Sequence, residues 1–264
     1  MTLAMKLNRC VIFSSKIALV KFLPLHLNGG GQQHKNQQPS NKQLKNTQNK
    51  QPQTKLIHFH LPTFDNDAIQ STIFNANNFF DIHIIQKADK FLQDNANILD
   101  IGANIGNNAV YYAMIRNANK IYAFEPIKDT FEILRKNIEL NALQDKIYPF
   151  NVALGLQEGK AVIKNRPVDN CGGTEIKTDN DGDLIVKNLD SFEFSEKIDF
   201  VKIDVEGFES QVLLGAKAFL AKHKPIMVIE IHAHKFEESI NALHLVGYEI
   251  IEKISEIDFI CKAK

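Results

Sequence analysis

A chain of 264 residues has room for one large α/β domain and a short extra region. Its net charge is zero, but nine Lys or Arg and no Asp or Glu precede residue 65, leaving 22 basic against 31 acidic residues in the body; such a body lacks the basic track that displaces counterions from a polynucleotide, so nucleic acid is excluded as the expected partner. Cys10, Cys171 and Cys261 are odd in number, far apart and without CxxC spacing, which excludes a disulfide framework or zinc site and fits a reducing, cytoplasmic setting.

Residues 1–27 read as an apolar and basic leader. Its apolar run, Cys10 to Leu27, is interrupted by Lys16 and Lys21 and has no small-residue cleavage signature, so neither a membrane span nor a signal peptide is expected. A weak contact with a membrane surface is the one partner the leader suggests; otherwise it is expected to be loosely ordered. Residues 28–55 are rich in Gln, Asn and Lys with almost nothing apolar, and read as a disordered linker. A chain lacking residues up to about Thr54 is therefore expected to keep a folded domain. That domain spans 56–264, with its core at 97–264.

Leu56 to Phe64 alternates like a short strand that Pro62 limits to an edge, and Ala68 to Asp94 leads into the core. From Asn97 the pattern is regular. Asn97 to Ile101 predicts a strand, Ile105 to Arg116 a helix, Lys120 to Phe124 a strand and Lys128 to Asn141 a helix. Ile147 to Leu154 and Lys160 to Ile163 read as a strand pair across Gln157-Glu158-Gly159. Pro167 to Asp183 reads as a loop that could cover the acceptor. Ile198 to Ile203 and Pro225 to Ile231 are buried strands, each followed by a helix, Glu209 to His223 and Lys235 to Leu245. Tyr248 to Lys253 and Ile257 to Lys262 close the chain as an antiparallel hairpin. The alternation predicts a Rossmann-like open, mostly parallel seven-stranded sheet with helices on both faces. Ligands on such sheets lie beyond the carboxyl ends of the strands, where the strand order reverses.

The residues after the first core strand fit that position. Ile98-Leu99-Asp100-Ile101 runs into Gly102-Ala103-Asn104-Ile105-Gly106, a strand, a glycine turn and a helix start. Gly102 and Gly106 allow close backbone approach, Asn104 tolerates unusual backbone angles, and the helix start offers free amides to an anionic group. Glu125, 23 residues after Gly102, ends the second strand, where an acid can accept from two ribose hydroxyls; the alternative is a carboxylate favoured by a helix dipole. Asn104 and Asn107 stand where a dinucleotide fingerprint has glycine, which disfavours NAD. An acid at Asp100 suits a cofactor bearing a cationic amino group and a sulfonium, S-adenosylmethionine.

ILDIGANIGN, YAFEP, NVALG and DFVKIDVEGFE, in this order and spacing, resemble the FkbM-type family of S-adenosylmethionine-dependent methyltransferases, over about Asn97 to Ile231. The resemblance implies a class I methyltransferase fold and O-methylation of a sugar, glycolipid or other small hydroxylated acceptor. It assigns Asp100, Gly102, Asn104 and Gly106 to the methionine end of the cofactor, Glu125 to the ribose, and Asn151 with Ala153 to the adenine edge. A cofactor-binding module without catalysis and an NAD-dependent oxidoreductase or epimerase are the alternatives. The acceptor's identity and the oligomeric state stay open.

On the acceptor side, Asp204 and Glu206 follow a buried strand and read as active-site acids, or else as caps of the helix starting near Phe208. Lys202 reads as a structural partner of a nearby acid. Glu230 and His232 point the same way if extended, and His232 is a candidate general base. With Asp204 they could form a divalent-metal site, but a cleft lining or a satisfied polar pair is the plainer reading, and no metal is expected.

Overall fold

The computed structural model describes residues 12–13, 17–22 and 55–264. Strand β1 (Ile12–Phe13) pairs antiparallel with β2 (Ile17–Phe22), and β2 pairs antiparallel with β3 (Lys55–His60), from Ile17 opposite His60 to Phe22 opposite Lys55. Ala18 and Val20 alternate inward and are buried in one cluster with Ile57 and Phe59. Residues 17–22 thus differ from the loosely ordered leader expected of them. Six residues of alternation, separated from their partner by a long polar stretch, are too short a signal to read as a strand. Residues 23–54, which hold most of the expected linker, lie outside the described residues; Lys55 opens β3.

Helices α1 (Ala68–Ala76) and α2 (Ile82–Ala88) follow, then β4 (Asn97–Ile101), α3 (Asn107–Met114), β5 (Lys120–Phe124) and α4 (Lys128–Leu140). The far edge of β3 rests on α4. Asn141 Oδ1 accepts from the His58 amide at 2.9 Å, Asn141 Nδ2 donates to the His58 carbonyl at 2.7 Å, and Asn137 Oδ1 accepts from the His60 amide at 2.6 Å. Two asparagines one turn apart thus supply the ladder bonds that an edge strand lacks.

Next come β6 (Ile147–Phe150), β7 (Ala153–Leu154), β8 (Gly159–Asn165), β9 (Glu175–Thr178), β10 (Leu184–Lys187), β11 (Phe200–Ile203), α5 (Glu209–Leu214), α6 (Lys217–His223), β12 (Ile226–Glu230), α7 (Phe236–Leu245), β13 (Tyr248–Lys253) and β14 (Asp258–Ala263). The central sheet has the order β13-β14-β12-β11-β4-β5-β6, parallel except for β14. The chain winds outward from β4 in one direction and from β11 in the other, so the reversal falls between these strands.

Three local expectations change. The strand pair across Gln157-Glu158-Gly159 does not form, because β10 lies between β7 and β8 in a second sheet of order β7-β10-β8-β9. The loop at 167–183 contains β9 and a 3-10 turn at Cys171–Gly173. The helix after β11 breaks at Gly215, where a Cβ would lie 2.0 Å from the Gly155 carbonyl oxygen; helix and loop backbones meet there.

Side-chain alternation in the central strands places Ile98 and Phe200 in one apolar layer, and Leu99, Ile101, Val201 and Ile203 in the other. Asp100 and Lys202 therefore share the face of Ile98 and Phe200. They are register partners on β4 and β11, both buried. That placement brings charge into the core beside the strand reversal.

Candidate active site

The turn after β4 is built against the end of β11. Gly102 has φ +78°, and a Cβ there would lie 1.7 Å from the Asp204 carbonyl oxygen. The amides of Gly102 and Ala103 both donate to the Phe124 carbonyl. Asn104 takes φ +50°, and its amide donates to Glu125 Oε2 at 2.9 Å. Glu125 Oε1 accepts from the Ile127 amide at 2.8 Å. One carboxylate thus ties the turns after β4 and β5 together, and each oxygen keeps a lone pair for another donor. Burial, opposed by these two backbone bonds, pushes the Glu125 carboxyl up to about 7.

A cleft of about 310 Å³ opens here. Gly102, Asn104 and Glu125 line it, as do Ala153 and Phe208. Gly106, Asp100 and Asn151 do not. Gly106 caps α3 at φ +90° and packs on Leu134 of α4, where a Cβ would sit 2.7 Å from Cδ1. Asn151 Nδ2 donates to the carbonyls of Glu125 and Pro126, so it braces the turn from behind. Asp100 has no exposed surface and acts from beneath the cleft floor. These three expected cofactor contacts are placed to shape the wall rather than to form it.

The residues present fit a nucleoside with a charged tail. Glu125 keeps acceptor positions for a diol beside the turn, and α3, whose N-cap Gly106 brings no side-chain bond, starts at the same opening with Asn107 and Asn108 on its lining.

The other half of the cleft centres on β11 and β12. Lys202 Nζ lies 3.0 Å from Asp204 Oδ2, 3.0 Å from the Gly102 carbonyl oxygen and 3.8 Å from Asp100 Oδ1. Burial works against its charge, yet Asp204 and Asp100 hold the amine protonated, above its ordinary value. Burial raises the Asp100 carboxyl to about 6, and Lys202 limits the rise. Lys202→Met would leave two carboxylates without their cation. A loss of about 3 kcal/mol in unfolding free energy is expected at pH 7. Without Lys202 the Asp100 carboxyl binds its proton more tightly still, so the deficit should shrink as pH falls from 7 and level off near 6, where the wild-type group is protonated too. Urea unfolding at pH 7 and pH 5 checks both; an equal deficit at the two pH values would remove Asp100 from the account.

Asp204 and Glu206 do not cap a helix. Phe208 is the N-cap of α5 without a side-chain bond, and the Gly207 amide is taken by Glu209. Glu206 instead takes φ +53° and turns its carboxylate to His232, with Oε2 3.1 Å from Nε2. Glu230 Oε1 is 3.2 Å from the same nitrogen. Burial, with Asp204, Asp258 and Glu206 nearby, raises Glu230 to about 9; burial and then Asp204 raise Glu206 as well. The ligand atoms of Glu206, Glu230 and His232 lie within 4.8 Å of one another, a spacing that could hold a divalent cation. Glu206 stands in such a set where Asp204 was expected.

The Methyltransferase FkbM domain family matches residues 100–256. The chain belongs to the FkbM methyltransferase family. The matched segment runs from Asp100, within β4, to just past β13. Among solved structures, the chain is similar to a methyltransferase FkbM from Methylobacillus flagellatus KT, with 16% identity, a TM-score of 0.46, and coverage of 75% of this chain and 56% of that one. The chain thus spans little more than half of that relative's length. It is also similar to the B. subtilis M1A22 tRNA methyltransferase TrmK (14%, TM-score 0.45, 68% and 65% covered) and to M. capricolum TrmK in complex with S-adenosyl-homocysteine (14%, 0.42, 70% and 68%). No curated protein matches the chain. At these identities the fold assignment rests on the strand order itself.

Sequence reasoning missed the contribution of Ile69 and Asp81, which also line the cleft; Asn170 to Gly173 line it too and belong to the 167–183 loop expected to cover the acceptor. No motif marks Ile69 or Asp81, because they arrive from outside the strand-helix units. Glu230, read as a cleft lining or polar partner of His232 or as a metal ligand with it, lies on the cleft beside His232. Among the described residues, no helix is long and apolar enough to cross a membrane.

Proposed function

We propose that this FkbM-family protein is an O-methyltransferase acting on a small hydroxylated acceptor such as a sugar or glycolipid headgroup, working in a reducing compartment such as the cytoplasm. Its methyl donor is S-adenosylmethionine, which when bound supplies an electrophilic methyl group and leaves as S-adenosylhomocysteine. The observation that carries the reading is the Glu206–His232–Glu230 cluster, set on the same cleft as Asn104 and Glu125. An alcohol has to lose its proton as its oxygen attacks, and Glu206, Glu230 and His232 share protons at one point, so a deprotonated member of the cluster can take it up. The cluster would take up the proton that the acceptor hydroxyl gives up on methylation. Asn104 and Glu125 hold the nucleoside, and Lys202 fixes Asp204 at the cleft floor. Alignment of the reacting atoms supplies much of the rest.

Asp81, Asp204 and Glu206 line the cleft, and among the described residues Lys202 is the one Lys or Arg on its lining. A neutral or cationic acceptor suits that field better than a phosphate backbone. The test is calorimetry with S-adenosylhomocysteine, followed by transfer of a labelled methyl group to a panel of sugars, glycolipids and small alcohols, with tRNA as a further arm. His232→Ala is expected to lower turnover about 100-fold while leaving S-adenosylhomocysteine affinity unchanged. Turnover that survives the substitution would remove the cluster from the chemistry; labelling of tRNA alone would replace the acceptor class.

A further inference from the structure

Part of the cleft wall comes from upstream of the family-matched segment, and a single carboxylate organises it. Asp67 precedes α1 and is almost fully buried. Its Oδ1 caps the helix by accepting from the Gln70 amide at 2.9 Å, and its Oδ2 accepts from the Cys171 amide at 2.8 Å. Beside it the Ala68 amide donates to the Asp169 carbonyl at 2.8 Å. The loop between β8 and β9 is thereby fastened to the start of α1 at two neighbouring points. On its other side the same loop presses on the cofactor turn. A Cβ on Gly172 would lie 2.4 Å from Ile69 Cδ1 and 3.0 Å from Asn104 Nδ2, and Cys171 Sγ is 3.7 Å from Asn104 Oδ1. Asn104 is the residue whose strained backbone presents an amide to Glu125.

We infer that Asp67 is a positioning residue for the cofactor: it clamps the Cys171–Gly173 turn against Asn104, so that the lead-in helix and the β8–β9 loop form the outer wall of the nucleoside cleft. The inference rests on the reading of that cleft as the S-adenosylmethionine site. The carboxylate has two separable roles. Serine and asparagine both cap helices as well as aspartate does. Serine is too short to reach Cys171 as well, and asparagine capping through its oxygen turns a donor toward the Cys171 amide.

The test compares full-length Asp67→Ser and Asp67→Asn with Asp67→Ala, by thermal melting, by hydrogen exchange at the Cys171 and Gly172 amides, and by calorimetry with S-adenosylhomocysteine. In the serine and asparagine variants, melting is expected to stay near that of the wild type, the two amides to exchange faster, and the dissociation constant to rise about tenfold, as the loss of one hydrogen bond to a charged acceptor implies. The alanine variant should lose melting temperature as well. Wild-type affinity and unchanged exchange in the capped variants would overturn the clamp while leaving the cofactor site standing. A wild-type protein that fails to bind S-adenosylhomocysteine would instead bring down the cofactor reading, and the clamp with it.

Discussion

Gly102→Ala is expected to abolish S-adenosylhomocysteine binding and to lower unfolding free energy by about 5 kcal/mol, in the range reserved for backbone and core collisions. Two independent causes act at this position. The φ of +78° is one that a side chain resists, and the added Cβ would fall 1.7 Å from the Asp204 carbonyl oxygen. That oxygen belongs to backbone at the end of a central parallel strand, so it has no rotamer through which to yield. Relief requires the ends of β4 and β11 to part, and the Lys202 bond to the Gly102 carbonyl breaks with them. Gly247→Ala is the matched control. It shares the φ of +78° but has nothing within 4 Å of the new Cβ, so it reports the backbone cost alone, about 1 kcal/mol. Denaturant unfolding of the two variants separates the causes. Equal losses would show that the strand ends accommodate the methyl group, and would contradict close packing at the reversal point.

A chain beginning at Lys55 is expected to lose about 4 kcal/mol, at roughly 2 kcal/mol for each of Ile57 and Phe59 returned to water. Both have no exposed surface in the complete sheet. The truncation also strips β2 from the open edge of β3, leaving a row of unpaired amides and carbonyls that invites association. The other edge of β3 stays fastened to Asn137 and Asn141, so local melting of β3 should precede loss of the main sheet. Thermal melting and light scattering of the truncated chain check this. A melting temperature equal to that of the full chain would show that β2 contributes nothing, as the reading of residues 1–27 as a leader had implied.

The central sheet was legible because its signals are local. Each buried strand is a short apolar run closed by a turn residue, and the helices between them carry their own period. Asp204, Glu206 and His232 could be placed together since parallel strands deliver their carboxyl ends to one rim, and the two acids follow β11 while His232 follows β12. What failed was non-local. Nothing in Ala153 or Leu154 reveals that their neighbour is Val186 or Lys187, so the small sheet was read as a hairpin. Ile17–Phe22 needed a partner beyond a long polar stretch. Asp67 carries no motif, and its bond to Cys171 spans 104 positions.

The succession of strands and helices along the chain, the glycine turn after β4, the acid at the end of β5 and the acids after β11 were determined by the sequence itself, since backbone conformation and apolar period are properties of neighbouring residues. Only the tertiary structure decided which side chains face the cleft. Asp100 was sent beneath the floor to Lys202 because alternation along β4 assigns it to the layer of Ile98, and Asn151 was turned back onto the chain it follows. A side chain's direction depends on which face of the sheet is covered and by what, and that is settled by packing between distant segments.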